Sequence, residues 1–270
     1  MKIKINHQSP SAENFPVNKT GNNKKEDAKK TLGSPDIYYT LLIRPHGYRP
    51  RSGLLLCQYL TEKIPSFKKS ARLLDIGTGE NALVAIHAAK LGLKNIVAID
   101  PDLTAYTWAK KNIRYNGLED IISIYKKPID RYCSREKFNL IVSNPPQMPV
   151  PKNMSKHDDG DRDGRLYVNQ IIEFASASLK SDGLLILNVF DFLGVDKDSQ
   201  NRLSLFSIMK KYGLKPKIVF KTPKIIKHNS HTFKNLSWIN KMYPDYFFKK
   251  DRDGLNKHYI YTIEAIKIKR

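Results

Sequence analysis

The sequence predicts an α/β protein built on a doubly wound, mostly parallel, seven-stranded sheet with an insertion near its C-terminal end. Three observations lead there. Apolar runs of strand length alternate with stretches whose apolar residues recur at helical spacing, the rhythm of helices laid on both faces of a parallel sheet. The run Arg72 to Ile76 passes directly into Gly77-Thr78-Gly79-Glu80-Asn81 and then a helix from Ala82 to Leu91, the first strand, turn and helix of such a sheet. The next strand, Asn95 to Ile99, ends in Asp100, close to the spacing at which a carboxylate takes the hydroxyls of a ribose.

Taken in order, residues 1–35 carry Lys, Asn, Ser and Pro with few apolar positions, and are expected to be a flexible basic tail. Residues 36–270 form the predicted domain. Tyr38 to Ile43 reads as a strand, Arg44 to Arg51 as a Pro/Gly loop, and Ser52 or Gly53 opens a helix through Lys63. After the two strands already described, a helix spans Thr104 to Asn116, with Gly117 at its end and Trp108 on its core face. Strands follow at Ile121 to Tyr125 and Phe138 to Val142, a helix at Leu166 to Leu179, a turn at Ser181-Asp182-Gly183 and a strand at Leu184 to Val189. A helix over 204–212 and strands at Lys217 to Thr222 and Tyr259 to Ile268 complete the sheet. Residues 223–257, rich in aromatics and containing His228 and His231, fit no regular crossover and are expected to be a cap or substrate insertion.

Composition narrows the function classes. The 270 residues include 40% hydrophobic residues, enough for a real core. No apolar run reaches the roughly eighteen residues of a membrane helix, and the N-terminus lacks a long apolar signal region, so the expected compartment is the cytoplasm and no membrane partner is expected. Cys57 and Cys133 have no metal-ligand spacing, and His228 and His231 have no acidic or Cys partner nearby, so no metal site is predicted. The net charge of +21 is uneven: +12 lies in residues 210–270 and +4 in residues 1–35. A basic C-terminal region can be the footprint of RNA or a ribosome, or simply a solvated lysine-rich surface.

The chemistry concentrates at Ser143-Asn144-Pro145-Pro146-Gln147, where a strand runs into two prolines. Without proline N–H groups the sheet ladder cannot continue, and the chain leaves in a stiff, extended turn. That turn holds the Asn144 carboxamide and the Pro145 carbonyl side by side, two acceptors able to grip an NH2 group.

Leu74-Asp75-Ile76-Gly77-Thr78-Gly79, Asp100, the helix end Asn112/Asn116-Gly117-Leu118 and Asn144-Pro145-Pro146 together resemble the class I methyltransferases that use S-adenosyl-L-methionine. Asp159-Gly160-Asp161-Arg162-Asp163-Gly164-Arg165 and Arg49-Pro50-Arg51 make the likeness greatest to the glutamine amide methyltransferases of release factors and a ribosomal protein. The resemblance covers about residues 44–190 and implies a Rossmann-like methyltransferase sheet. It further implies that Asp75, Gly77 and Gly79 form the pocket for the cofactor's amino-acid part. Asp100 would take the ribose, Pro101 the adenine face, and Ile129 or Asp130 the adenine edge. Asn144, which also borders the cofactor, and Pro145 would be catalytic, accepting hydrogen bonds from the target nitrogen. Pro146, Gln147 and Tyr48 would face the acceptor. The implied reaction is N-methylation of a protein side-chain amide.

The chain departs from the pattern in three places. Asn81 stands where the third glycine is usual, which should shift the helix entry. The helical N-terminal substrate domain of the release-factor enzymes has no counterpart before Asp36. Gln147 replaces the aromatic residue that ordinarily follows Asn-Pro-Pro and stacks on a planar acceptor; Tyr38, Tyr39, Tyr48 and Tyr167 are the rings that could replace it. These departures keep two other acceptors open. One is a small metabolite, or the methionine part of the cofactor itself; the other is the exocyclic amine of adenine in RNA. Glu80 could touch the cofactor's amine or cap a helix, His46 lies in the loop with Tyr48, and Asp163 and Arg165 are read as shaping their loop.

Overall fold

The computed structural model describes residues 2–5, 37–45, 52–151, 159–228, 230–250 and 254–269. Its strands are β1 (Lys2–Ile5), β2 (Ile37–Thr40), β3 (Arg72–Ile76), β4 (Asn95–Asp100), β5 (Ile122–Lys126), β6 (Phe138–Ser143), β7 (Leu179–Phe190), β8 (Leu214–Ile225), β9 (Lys249–Lys250) and β10 (Asn256–Lys267). The helices are α1 (Gly53–Lys63), α2 (Leu83–Lys90), α3 (Leu103–Tyr115), α4 (Leu166–Ser178), α5 (Leu205–Lys211) and α6 (His231–Met242). The main sheet runs in the order β5-β4-β3-β6-β7-β10-β8, with β9 paired to β10 beside this path. β3 to β7 are mutually parallel, while β10 is antiparallel to both β7 and β8.

The strand sequences explain the layers. β3, β4 and β6 are almost continuously buried, as parallel strands covered on both faces must be. One face is covered by α1, α2 and α3, whose Leu56, Leu60, Ile86 and Ile113 join Leu73, Leu140 and Ile186 in one core. The other is covered by α4 and α5, where Ile171, Ile172 and Met209 pack on Leu74, Ile141 and Leu185. A third, smaller cluster joins Met148, Val150, Phe192 and Leu193 to Ile239 of α6 and Tyr246. The segment 223–257 therefore packs onto the stretch that follows Asn144-Pro145-Pro146.

Lys2–Ile5 is a strand paired antiparallel with β2, and residues 6–36, most of the expected tail, lie outside the described residues. Three expectations change. The strand expected over Tyr38 to Ile43 ends at Thr40. Beyond it the backbone pairs with side chains: Asn112 of α3 accepts from Leu42 N (2.6 Å) and donates to Leu42 O (3.1 Å), and Asn116 donates to Thr40 O (2.9 Å). The expected turn at Ser181-Asp182-Gly183 lies inside β7, where Asp182 takes a left-handed conformation (φ 61°) and the β6 to β7 register shifts. The final hairpin is longer than its apolar runs indicate, because β8 and β10 pair along almost their whole length.

Candidate active site

The site forms where β3, β4 and β6 end. Gly77 and Gly79 have φ of 70° and 67°, a region that side-chain-bearing residues rarely adopt. Their turn hangs on the end of β4: Gly77 N and Thr78 N donate to Ile99 O (2.9 and 3.1 Å), and Gly79 N donates to Asp100 Oδ2 (2.9 Å). Asp100 Oδ1 also accepts from Asp102 N (3.0 Å), which fixes the carboxylate plane. Asp75 is buried and accepts from Thr78 Oγ1 (2.7 Å). Burial pushes its carboxyl up to about 7, against the lowering effect of that hydrogen bond. After Asn81 a left-handed position falls on Ala82 (φ 46°, ψ 34°), and α2 begins at Leu83. That backbone costs a non-glycine residue about 1 kcal/mol.

On the other side, Ser143 Oγ donates to Ile76 O (2.8 Å), locking β6 to β3 just before the prolines. Asn144 Nδ2 donates to Ser52 Oγ (2.9 Å), and Asn188 Nδ2 donates to Ser52 O (2.9 Å) and, at 3.4 Å, to Asn144 Oδ1. Thr262 Oγ1 donates to Asn188 Oδ1 (2.8 Å), which determines which way the Asn188 amide faces. Asn144 is thus oriented from β7, β10 and the start of α1.

Gln147 spends its side-chain amide on the sheet. Its side chain is buried, with Nε2 donating to Asn188 O (3.0 Å) and Oε1 accepting from Phe190 N (2.6 Å). This is the bonding pattern of a parallel ladder about residue 189, supplied by a side-chain amide where prolines have no N–H. Nε2 also reaches Pro145 O (3.3 Å), leaving that carbonyl a second lone pair. The acidic loop closes over the Gln147 backbone. Gly160 N donates to Met148 O (2.9 Å), and a Cβ on Gly160 would lie 2.6 Å from Gln147 Cα. Asp163 accepts from Arg165 N (2.9 Å), and Arg165 is buried, so both shape this loop.

A cavity of about 940 Å³ unites the two halves. Asp75, Gly77, Gly79, Asp100, Pro101, Ile129, Asp130, Asn144, Pro145, Pro146 and Gln147 all line it, so the structure brings together every predicted site residue except Tyr48, which lies outside the described residues. Glu80 turns away and pairs with Arg44 (2.7 Å), tethering the segment before α1. Tyr39 is buried edge-on against His87, away from the cavity, whereas Tyr167 lines it. Sequence reasoning missed Ser52 as an Asn144 partner, and also Asn188 and Phe190. A polar residue inside the buried run Leu184 to Val189 was the available signal for Asn188.

Residues 55–146 match the family model of the ribosomal protein L11 methyltransferase (PrmA). The chain is 29% identical over 159 residues to the release factor glutamine methyltransferase of Flavobacterium psychrophilum, covering 54% of this chain and 55% of that one. It is 34% identical over 127 residues to the tRNA1(Val) (adenine(37)-N6)-methyltransferase of Bacteroides thetaiotaomicron, covering 44% and 51%. Among solved structures it superposes on BH2331 of Bacillus halodurans C-125, provisionally titled a methyltransferase, with a TM-score of 0.52 at 15% identity, covering 77% of this chain and 97% of that one. This is the methyltransferase fold. The chain spans about half the length of the relatives named here. The matched relatives are methyltransferases, and the residues lining the cavity fit a nucleoside-bearing cofactor. The cavity lies within the range of about 300–1,000 Å³ typical of small-molecule sites, and it sets buried carboxylates beside a glycine turn. Among the described residues no helix is long and apolar enough to cross a membrane, and no group of three or more His, Cys, Asp or Glu could hold a metal ion.

Proposed function

We propose that this chain transfers a methyl group from S-adenosylmethionine to a nitrogen of a protein side-chain amide, with glutamine as the acceptor residue. The observation carrying this reading is the single cavity, with the glycine turn and Asp100 on one side and Asn144 and Pro145 on the other. Several matched relatives, named release factor or N5-glutamine methyltransferases, support the choice of acceptor. When bound, S-adenosylmethionine supplies a methyl group on a sulfonium, whose departure as a neutral thioether needs little acid or base help.

The protein's part is then positioning. Asp75, Gly77 and Gly79 would hold the cofactor's amino-acid end, Asp100 the ribose hydroxyls, and Pro101, Ile129 and Asp130 the adenine. Asn144 Oδ1 and the Pro145 carbonyl accept the two N–H bonds of the acceptor amide, which turns its lone pair out of conjugation and aims it in line at the methyl carbon. Once the nitrogen–carbon bond has formed and the sulfur has left, the nitrogen releases one of these protons to solvent. Asn188 and Ser52 keep the Asn144 carboxamide from rotating. Asn144→Ala should still bind the cofactor and lose at least about a hundredfold in turnover with a labelled methyl donor. Normal turnover in that variant would refute the role of Asn144.

A second reading takes adenine in RNA as the acceptor, supported by the tRNA-directed relative and by the +12 charge of residues 210–270. RNA binding that falls by orders of magnitude between 50 and 200 mM salt would favour it. Transfer to peptide that is indifferent to salt, without RNA binding, would favour the amide.

A further inference from the structure

We infer that Phe190 is the aromatic wall of the acceptor site, taking the place left by Gln147, and that it selects an acceptor whose nitrogen belongs to a flat, sp² group. The inference rests on the methyl-transfer reading of this cavity. Asn188 and Phe190 stand two apart on β7 and so face the same side of the sheet, about 7 Å apart along the strand. The Asn188 amide touches Asn144, and Phe190 lines the same cavity. The Phe190 ring therefore stands one strand step from the groups that grip the nitrogen.

The ring is held firmly. Gln147 bonds the Phe190 backbone, while Phe192 (5.4 Å between ring centroids) and His258 (4.6 Å, edge-on) pack against its side chain. Lys224, a cavity-lining residue from the far end of β8, places its ammonium 5.1 Å from the ring centre. The other aromatic of the lining, Tyr167, stands near Asp159, Asp161 and Asp130 at the start of α4 and makes no hydrogen bond with Asn144 or Asn188 among the described residues. A Gln in the usual aromatic position and a Phe at the end of the neighbouring strand are thus parts of one arrangement. The Gln completes the sheet, and its partner residue presents the ring.

Phe190→Leu and Phe190→Tyr test this by steady-state kinetics with methyl-labelled S-adenosylmethionine and a capped glutaminyl peptide, alongside calorimetric cofactor binding. The expected result is an acceptor KM raised about tenfold in Phe190→Leu and restored in Phe190→Tyr, with cofactor affinity unchanged in both. An unchanged acceptor KM in Phe190→Leu, with the parent chain active, overturns the inference and leaves the proposed function standing. A second measurement needs no turnover. With S-adenosylhomocysteine bound, the extra indole fluorescence of Phe190→Trp should respond to benzamide or adenine and stay flat with cyclohexylamine. Equal response to the flat and saturated probes, or response to neither, overturns the inference. A parent chain that transfers no methyl group while this contrast holds would overturn the proposed function alone.

Discussion

At the scale of single residues, Asp75 has the most consequential environment. Its carboxyl has an ordinary value of 3.8 and is pushed up to about 7 by burial, with Asp100 adding to the effect. Between these values the unfolded chain has lost the proton and the folded chain keeps it, so this group's contribution to stability falls as pH rises through 7. Replacing Asp75 by Asn removes that dependence. In chemical denaturation of the ligand-free protein, the advantage of Asp75→Asn over the parent should grow by about 1 kcal/mol from pH 6 to pH 8. Buried His87 and His258, pushed down to about 4 and about 3 by desolvation, titrate alike in both chains and cancel in the difference. A constant difference would show that Asp75 is ionised in the fold throughout. The strand sequence predicted Asp75 as a site residue but said nothing of this shift, which arises from burial under Thr78 and α2.

At the scale of elements, two side-chain amides do what backbone does elsewhere. Asn112 pairs with both polar groups of Leu42 where β2 has ended, and Gln147 pairs with Asn188 O and Phe190 N where β6 has run into proline. Gln147→Glu removes both N–H donors and turns a carboxylate toward the carbonyls of Pro145 and Asn188. It should lower unfolding free energy by about 2–3 kcal/mol, as expected for buried polar groups left unpaired. It should also lower turnover more than cofactor affinity, because the Pro145 carbonyl moves with it. Loss below about 0.5 kcal/mol in equilibrium denaturation would mean that the ladder is closed by other groups. The pattern Asn-Pro-Pro was legible as a break in the sheet. The repair was not, since nothing in the order of residues says whether the Gln147 amide turns to solvent or back to β7.

At the scale of the whole molecule, the +12 of residues 210–270 divides into different kinds of charge once folded. Lys217 joins Lys63 and Tyr59 around the buried Glu264 of β10, tying α1 to the β10 and β8 end of the sheet, while Lys221, Lys224 and Lys249 lie over aromatic rings. Charges used this way hold the fold together and do not by themselves make an RNA footprint. Transfer to a peptide acceptor should therefore keep its KM within about twofold between 50 and 200 mM salt, a range over which an interface built on phosphate contacts would weaken by orders of magnitude. A steep salt dependence with peptide would return the basic region to the acceptor site.

The strand-turn-helix run at 72–91, Asp100, and the Asn144-Pro145-Pro146 break were readable because each is local. Glycine is favoured where φ is positive, a carboxylate at a strand end lies beside that turn, and two prolines in a row deprive a ladder of its N–H donors. Those local rules determined the parallel sheet and the glycine-turn side of the cavity. What only the tertiary structure decided is which groups meet across distant strands: Ser52 and Asn188 on Asn144, Glu80 on Arg44, Gln147 on Phe190, and α6 beneath the loop after the prolines. Buried polar groups must find partners, but the sequence does not say which, because the choice depends on the register of β6, β7 and β10 packed side by side.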